Sequence, residues 1–296
     1  DSDGTPRLLR PDFFSRVNGH SVQFSQDYYR PFANRFARAI REVHPHALIF
    51  VESTFEKDFL EWGPKDAERI VYAPHWYDGL TLIFKKFNPW MAYDILRGKI
   101  VWLPWAIRRS FASQLEFHKQ EARDHLGGAP LLVGEMGIPM NLHEGRAYRT
   151  GDFSTQEKAL ERSMRAVEDS IINVTIWNYT ADNDNTRGDQ WNGEDFSIFS
   201  RDQQRDPADI YSGGRALRAL LRPYPKATAG EPLHLSFDTK RRIFEYRFRH
   251  DPSVESPTEI FVPRFQYPKG FEVKVSDGKW ENNSDNQLIR YWHTLD

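Results

Sequence analysis

Glu135 closes an apolar run, "PLLVGEMGIP" (residues 130 to 139), and the chain then turns at Gly137. A carboxylate at the end of a buried strand can serve as a nucleophile, as a general acid, or as half of an ion pair. Three other stretches share the form of an apolar run with polar or aromatic residues at its C-terminal end. "ALIFVES" (47 to 53) carries Glu52, "RIVYAPHWYD" (69 to 78) carries His75, Trp76 and Tyr77, and "INVTIWNYTADND" (172 to 184) carries Trp177 and Asn178. Any one such glutamate reads as readily as an ion-pair partner or a helix cap. The set points to sugar chemistry. Retaining glycoside hydrolysis needs an ionised carboxylate nucleophile about 5 to 5.5 Å from a protonated carboxylic acid. Hydrogen-bond donors such as His75 and Tyr77 favour the ionised form, and an indole such as Trp177 offers a flat platform to a sugar ring.

The elements that must position these residues are legible from hydrophobic spacing. The four runs are short and β-branched, as buried parallel strands are. Ser25 and Asp27 open a helical pattern with Phe32, Phe36 and Ile40 spaced by four and Ala33 and Ala37 alongside, ending near His44 and Pro45. A second helix begins at a capping box of Ser154 and Glu157 and carries Ala159, Leu160, Met164 and Val167 on one side. A third, short helix lies in "DIYSGGRALRALLRPYP" and is closed by Pro223. Strands alternating with helices predict parallel βαβ units, and in α/β barrels catalytic groups project from the C-terminal strand ends. From residue 224 the pattern changes to alternation: Phe244, Tyr246 and Phe248 share one face, as do Phe271, Val273 and Val275. About five short strands are predicted there, forming a small antiparallel β-sandwich. Residues 1–223 and 224–296 are therefore expected to be separate domains.

Composition narrows the chemistry. Among 296 residues there are 40 Lys and Arg against 42 Asp and Glu with neither sign clustered, which gives no electrostatic footprint for nucleic acid. The absence of cysteine removes disulfides, thiolate metal sites and thiol catalysis, and leans towards a reducing compartment. The His residues form no HxxxH pairing, and the one HxH pair, His44 and His46, flanks a proline in a loop, so no metal is expected, and no cofactor either. No signal-peptide pattern stands at the N-terminus, and no apolar run reaches the roughly 18 residues a membrane span needs. Aromatic residues are numerous, with 9 Trp, 12 Tyr and 21 Phe; a large aromatic core or stacking on sugar and sterol-like faces would each use them.

"VGEMG" at one strand end, "APHWYD" a strand earlier and "IWNYTADNDNTRGDQWNGEDFS" a strand later together resemble glycoside hydrolase family 5, a family of retaining (β/α)8-barrel enzymes. The chain is most similar to the endoglycoceramidase-like branch, and its long acidic loop resembles the fungal sterylglucosidase and glucosylceramidase group. The resemblance covers nearly the whole chain, the trailing sandwich included. It implies that Glu135 is the nucleophile, that His75 and Tyr77 position it and bind the glycone, and that Trp177 stacks on the sugar. It places Asn178, Asp182, Asn183 and Asp184 at the mouth as candidates for binding hydroxyls, with Trp191 and Glu194 on the same loop. For the loop residues, turn formation explains Asn, Asp and Gly equally well.

The family's acid/base is a Glu in an Asn-Glu-Pro motif at the end of the fourth strand, and no such motif occurs in this sequence. By resemblance the four strands are the fifth to eighth, and Glu52 ends the fifth, which suits a wall of the pocket or a support behind it rather than the acid. The expectation is thus the C-terminal half of a barrel plus a sandwich. The N-terminal half would be supplied by a separate or cleaved chain or by a segment outside this one, because half a barrel leaves bare edges. The expected reaction is hydrolysis of a β-glucoside with an apolar aglycone, a steryl glucoside or glucosylceramide. The alternatives are endoglycoceramidase action that releases an oligosaccharide, and a glycolipid-binding module without catalysis. The stretches 80 to 96 and 102 to 117 read either as walls of an aglycone groove or as an amphipathic helical insertion. A cytoplasmic location with association to a membrane or vacuole, and peripheral membrane contact, complete the expectations.

Overall fold

The computed structural model describes residues 4–52 and 58–294, so Ser53, at the end of the first predicted strand, lies outside the described residues. The chain forms two compact units. One holds the residues up to Pro74 together with Phe117–Leu132, and the other holds His75–Glu116 and everything from Val133 onward.

The first unit opens with a two-residue hairpin, β1 (Arg16–Val17) and β2 (His20–Ser21), followed by α1 (Arg30–Val43). Then come β3 (Ile49–Val51) and β4 (Ile70–Tyr72), which pair in parallel with Ile49 opposite Ile70 and Val51 opposite Tyr72. The helix packs through Ala33 and Ala37, which are buried with Ile49, Val51 and Tyr72, while Phe32 and Phe36 remain 53% and 48% exposed. This corrects the predicted stripe. The small alanines let the helix backbone approach the strands, and the larger phenylalanines lie on its flank. Phe50, on the opposite face of β3 from Ile49, is 54% exposed, although strands of a closed barrel are covered on both faces.

The second unit continues with α2 (Gly79–Phe84), then β5 (Met91–Asp94) and β6 (Lys99–Trp102), an antiparallel hairpin. Helix α3 (Pro104–His125) begins in this unit and leads on to β7 (Leu132–Met136), α4 (Leu142–Thr150), α5 (Ser154–Ser170), β8 (Asn173–Ile176) and α6 (Leu217–Leu220). The stretch from 80 to 96 is therefore helical only to Phe84; beyond it the insertion is a hairpin. Strand β7 pairs with β8, and its core neighbours are Trp76, Phe111, Leu160 and Val167. Helix α5 buries Ala159, Leu160 and Val167 as its spacing predicts. The predicted capping box does not form: Phe153 occupies the cap position, and the Asp152 carboxylate accepts the Ser154 amide at 2.9 Å. Among the described residues β3 pairs only with β4, and β8 only with β7, so each keeps an unpaired edge.

The remaining strands are β9 (Tyr224–Ala227), β10 (Gly230–Asp238), β11 (Ile243–His250), β12 (Thr258–Phe261), β13 (Lys279–Asn283) and β14 (Leu288–Trp292). They form two antiparallel sheets, β10–β11 and β13–β14–β12–β9. The Phe248 and Tyr291 rings meet edge to face at 6.1 Å between the sheets. The predicted face of Phe271, Val273 and Val275 is corrected. This segment joins no ladder; it borders an inter-sheet space of about 1270 Å³, while the polar "KWENN" supplies β13 instead. Arg222 fixes the junction, donating to Glu168 at 2.7 Å, to Glu161, and to the Phe237 carbonyl at 3.0 Å.

Gly137 follows β7 where no side chain fits, because a Cβ there would lie 2.0 Å from the Trp177 carbonyl oxygen. The Gly137→Ala variant is expected to lose the close approach of the β7 and β8 ends. Proteolysis of the loop after Trp177 at least tenfold faster than in wild type checks this, since backbone clash is among the few mechanisms with large effects.

Candidate active site

The site is built by the second unit alone. Past the end of β4 the chain runs beside β7: His75 bridges Glu135, and the Trp76 amide donates to the Glu135 carbonyl at 3.0 Å. In extended chain, alternate side chains point to opposite sides. Trp76 therefore turns into the core, where its indole N–H donates to Gln114 at 3.1 Å and its ring meets Phe111 at 5.0 Å. His75 and Tyr77 turn together to the other side, onto the Glu135 carboxylate. The Tyr77 hydroxyl donates to Oε1, and His75 Nδ1 stands 3.1 Å from Oε2. Each oxygen thus has its own partner, which fixes the carboxylate's orientation. The side chains of His75 and Glu135 are 31% and 21% exposed, so a ligand can reach them.

The Tyr77 phenol is pushed well above its ordinary value, first by burial, then by its hydrogen bond to Glu135 and by the charges of Glu135 and Glu194. It therefore stays a neutral donor throughout any working range, and the influence of Glu194 brings that loop glutamate into the electrostatics of the site. For stability the sign is that of a raised pKa: the contribution is complete below the ordinary value of 10.0 and is lost as pH climbs past it. Replacing Tyr77 by Phe keeps the ring beside Phe196, at 6.0 Å, and deletes the donor. A hydrogen bond to a charged group contributes about 1.5 to 3 kcal/mol, so kcat/KM should fall roughly 10- to 150-fold. The alkaline limb of the pH profile should not move, and a steady-state profile of both proteins checks this.

Trp177 follows β8, half-buried, with its amide donating to the Met136 carbonyl at 2.8 Å, and the Trp177–Asn178 peptide is cis. The long loop beyond it is organised by acidic residues. Asp189 accepts from Asn178 at 3.0 Å, from Asn183 at 2.9 Å and from the Phe196 amide at 2.7 Å. Asn183, expected at the mouth as a hydroxyl binder, is fully buried. It donates to Asp189 and, at 2.9 Å, to Asp195, and it accepts from Arg215, so it folds the loop instead. Asp182 accepts from Gln190 at 2.7 Å, and Asp184 closes a turn on the Arg187 and Thr186 amides; the Arg187 amide first, then its guanidinium and the Thr186 amide, hold the carboxyl below the usual range. Trp191 is 65% exposed, and Glu194 accepts from Asn192 at 3.0 Å. Glu52 belongs to the first unit, where its amide donates to the Tyr29 hydroxyl at 3.0 Å.

Residues that the sequence did not single out complete the loop's support. Arg215 is wholly buried and grips both oxygens of Asp195, at 2.9 and 3.0 Å, while Tyr148 donates to the same carboxylate. The only advance signal was an Arg after the Gly pair of "SGGR", where a buried charge needs a buried partner.

A strand-end carboxylate is thus held by a phenol and an imidazole, with an indole at the end of the next strand. The chain belongs to glycoside hydrolase family 5: the family's cellulase domain matches residues 16–183 and its C-terminal domain matches residues 222–296. A glucosylceramidase of Rhizopus delemar is 30% identical, covering 100% of this chain and 47% of that protein. The ergosteryl-beta-glucosidase of Saccharomyces cerevisiae is 27% identical, covering 97% and 46% respectively. The crystal structure of Cryptococcus neoformans sterylglucosidase 1 with tris superimposes with a TM-score of 0.83 at 31% identity, over 98% of this chain and 46% of that one. Endo-glycoceramidase II from Rhodococcus sp. shares the fold, with a TM-score of 0.63 at 18% identity over 96% of this chain and 55% of that one. Members of the family are (β/α)8 barrels. The chain spans about half the length of the curated relatives it matches.

Proposed function

We propose that the protein to which this chain contributes is a retaining β-glucosidase acting on a glucoside with an apolar aglycone, a steryl glucoside or glucosylceramide. The carrying observation is the Glu135 carboxylate, oriented by Tyr77 and by His75 at 3.1 Å and still open to a ligand. In the first step a Glu135 oxygen attacks the anomeric carbon, the glycosidic C–O bond breaks, and a carboxylic acid about 5 to 5.5 Å away protonates the departing oxygen. In the second, that residue takes a proton from water, the water oxygen attacks the anomeric carbon, and Glu135 is released. Trp177 is the stacking platform. Asn178 flanks it, and Asp182, Asp184, Trp191 and Glu194 line the approach.

In the same reading β3, β4, β7 and β8 are the fifth to eighth strands of the barrel. The two C-terminal sheets are its sandwich, with the division at 223 and 224 supported by the two family matches. The unpaired edges of β3 and β8, and relatives about twice as long, support a barrel completed by polypeptide outside this chain. That polypeptide also carries the acid/base. Product analysis tests the proposal. The full-length protein should release free glucose from steryl glucoside or glucosylceramide, with the β-anomer seen first by NMR. Release of an oligosaccharide from a longer glycolipid would assign endo action instead, and no release from any of them would leave a binding module.

A further inference from the structure

The insertion between α2 and α3 turns its apolar side outward. In the β5–β6 hairpin Met91 stands opposite Trp102 and Tyr93 opposite Ile100, whereas Ala92 stands opposite Val101. Directly opposed residues share a face. Ala92 and Asp94 are buried and Val101 packs on the core, so the other face looks away from it, with Ile100 41% and Trp102 60% exposed. An antiparallel hairpin lying on a core ordinarily presents a polar outer face. Here the outer face is apolar, its tip adds Ile95 at 68% exposure, and Trp105 at 62% follows.

The charges around it are one-sided. From Gly79 to Arg109 there are six basic residues and one acidic residue, in a chain whose formal net charge is −2. The one acid, Asp94, is buried and paired with Arg97, and Arg108 pairs with Asp169. Lys85, Lys86 and Lys99 make no ion pair with any described residue. An exposed apolar patch of this kind marks an interaction surface. Indoles and aliphatic tips set among unpaired ammonium groups match the headgroup boundary of an anionic bilayer, where rings enter the interface and lysines meet acidic lipid. No described helix is long and apolar enough to cross a membrane.

We propose that the β5–β6 hairpin, with the end of α2, docks this protein onto a negatively charged lipid surface. The same insertion holds an apolar cavity of about 670 Å³ bordered by Leu80, Phe84, Phe87, Met91 and Ile100. Docking sets that recess beside the bilayer. The proposal does not depend on the chemistry of Glu135.

Co-sedimentation of the full-length protein with phosphatidylcholine vesicles, with and without phosphatidylserine, tests it. Binding should require phosphatidylserine and weaken with salt. Lys85→Ala, Lys86→Ala and Lys99→Ala should each weaken it about fivefold. Ile95→Ser combined with Trp102→Ser should weaken it at least about tenfold. Turnover of a soluble aryl β-glucoside should be unchanged in all of these, so that a failure of docking and a failure of the glycosidase assignment are read separately. Wild-type protein that ignores acidic vesicles, or variants that bind as wild type does, would overturn the proposal. So would a dimer that dissociates when Ile95→Ser and Trp102→Ser are combined, which would give the face to a second copy.

Discussion

Glu135→Gln in the full-length protein is expected to lower kcat for an aryl β-glucoside by a factor on the order of 10⁴ to 10⁶, the scale on which removal of a nucleophile acts. The substitution is close to isosteric and keeps an acceptor for the Tyr77 hydroxyl, so the circular dichroism spectrum and Tm should remain near those of wild type. What disappears is the carboxylate that, in the proposed mechanism, forms the bond to the anomeric carbon. A companion variant, Glu135→Ala, opens space beside His75 and Tyr77, and added azide should then restore turnover by attacking the anomeric carbon in its place. Hydrolysis by Glu135→Gln at near the wild-type rate would remove the assignment, and with it the retaining mechanism.

Arg215→Met is expected to destabilise the protein by about 3 to 5 kcal/mol, the cost of leaving a buried carboxylate without its partner. Arg215 and Asp195 are 0% and 5% exposed, and the guanidinium also holds Asn183 and, at 3.1 Å, the Phe199 carbonyl. Its loss frees the loop that carries Asp189, Trp191 and Glu194 past the site. The Tm should fall by roughly 5 to 15 °C, and KM for the glucoside should rise as the loop loosens. Adding Asp195→Asn to Arg215→Met removes the stranded charge and should recover part of the loss, because residues of one network do not act additively. A single variant as stable as wild type in thermal denaturation would show that the network does not hold the loop.

What could be read in advance, and what could not, follows from the range of each interaction. His75 and Tyr77 were legible as donors to a carboxylate from their types at a strand end, whereas the turning of Trp76, which stands between them, into the core emerged only from the packed chain. Asn183 was not legible, since an asparagine in a turn-rich loop has the same appearance whether it meets a sugar or, as here, three buried partners. Phe32 and Phe36 misled because a helical stripe counts apolar residues by type, while the packed face is decided by how closely two backbones approach, and Ala33 and Ala37 allow the closer approach. Val273 and Val275 alternate as a strand should, yet no neighbouring ladder takes up their amides.

The sequence by itself determined which groups stand at strand ends, that a glutamate is flanked by an imidazole and a phenol, and that the chain carries the motifs of glycoside hydrolase family 5. These depend on local periodicity and residue type, which need no long-range information. Only the tertiary structure decided that Tyr77 and His75 take one oxygen each of Glu135, that Asp195 meets Arg215 twenty positions further along the chain, and that the β5–β6 hairpin faces outward with its apolar side. Those outcomes depend on which surfaces meet in space, and a burial pattern is a property of the packed chain rather than of any segment within it.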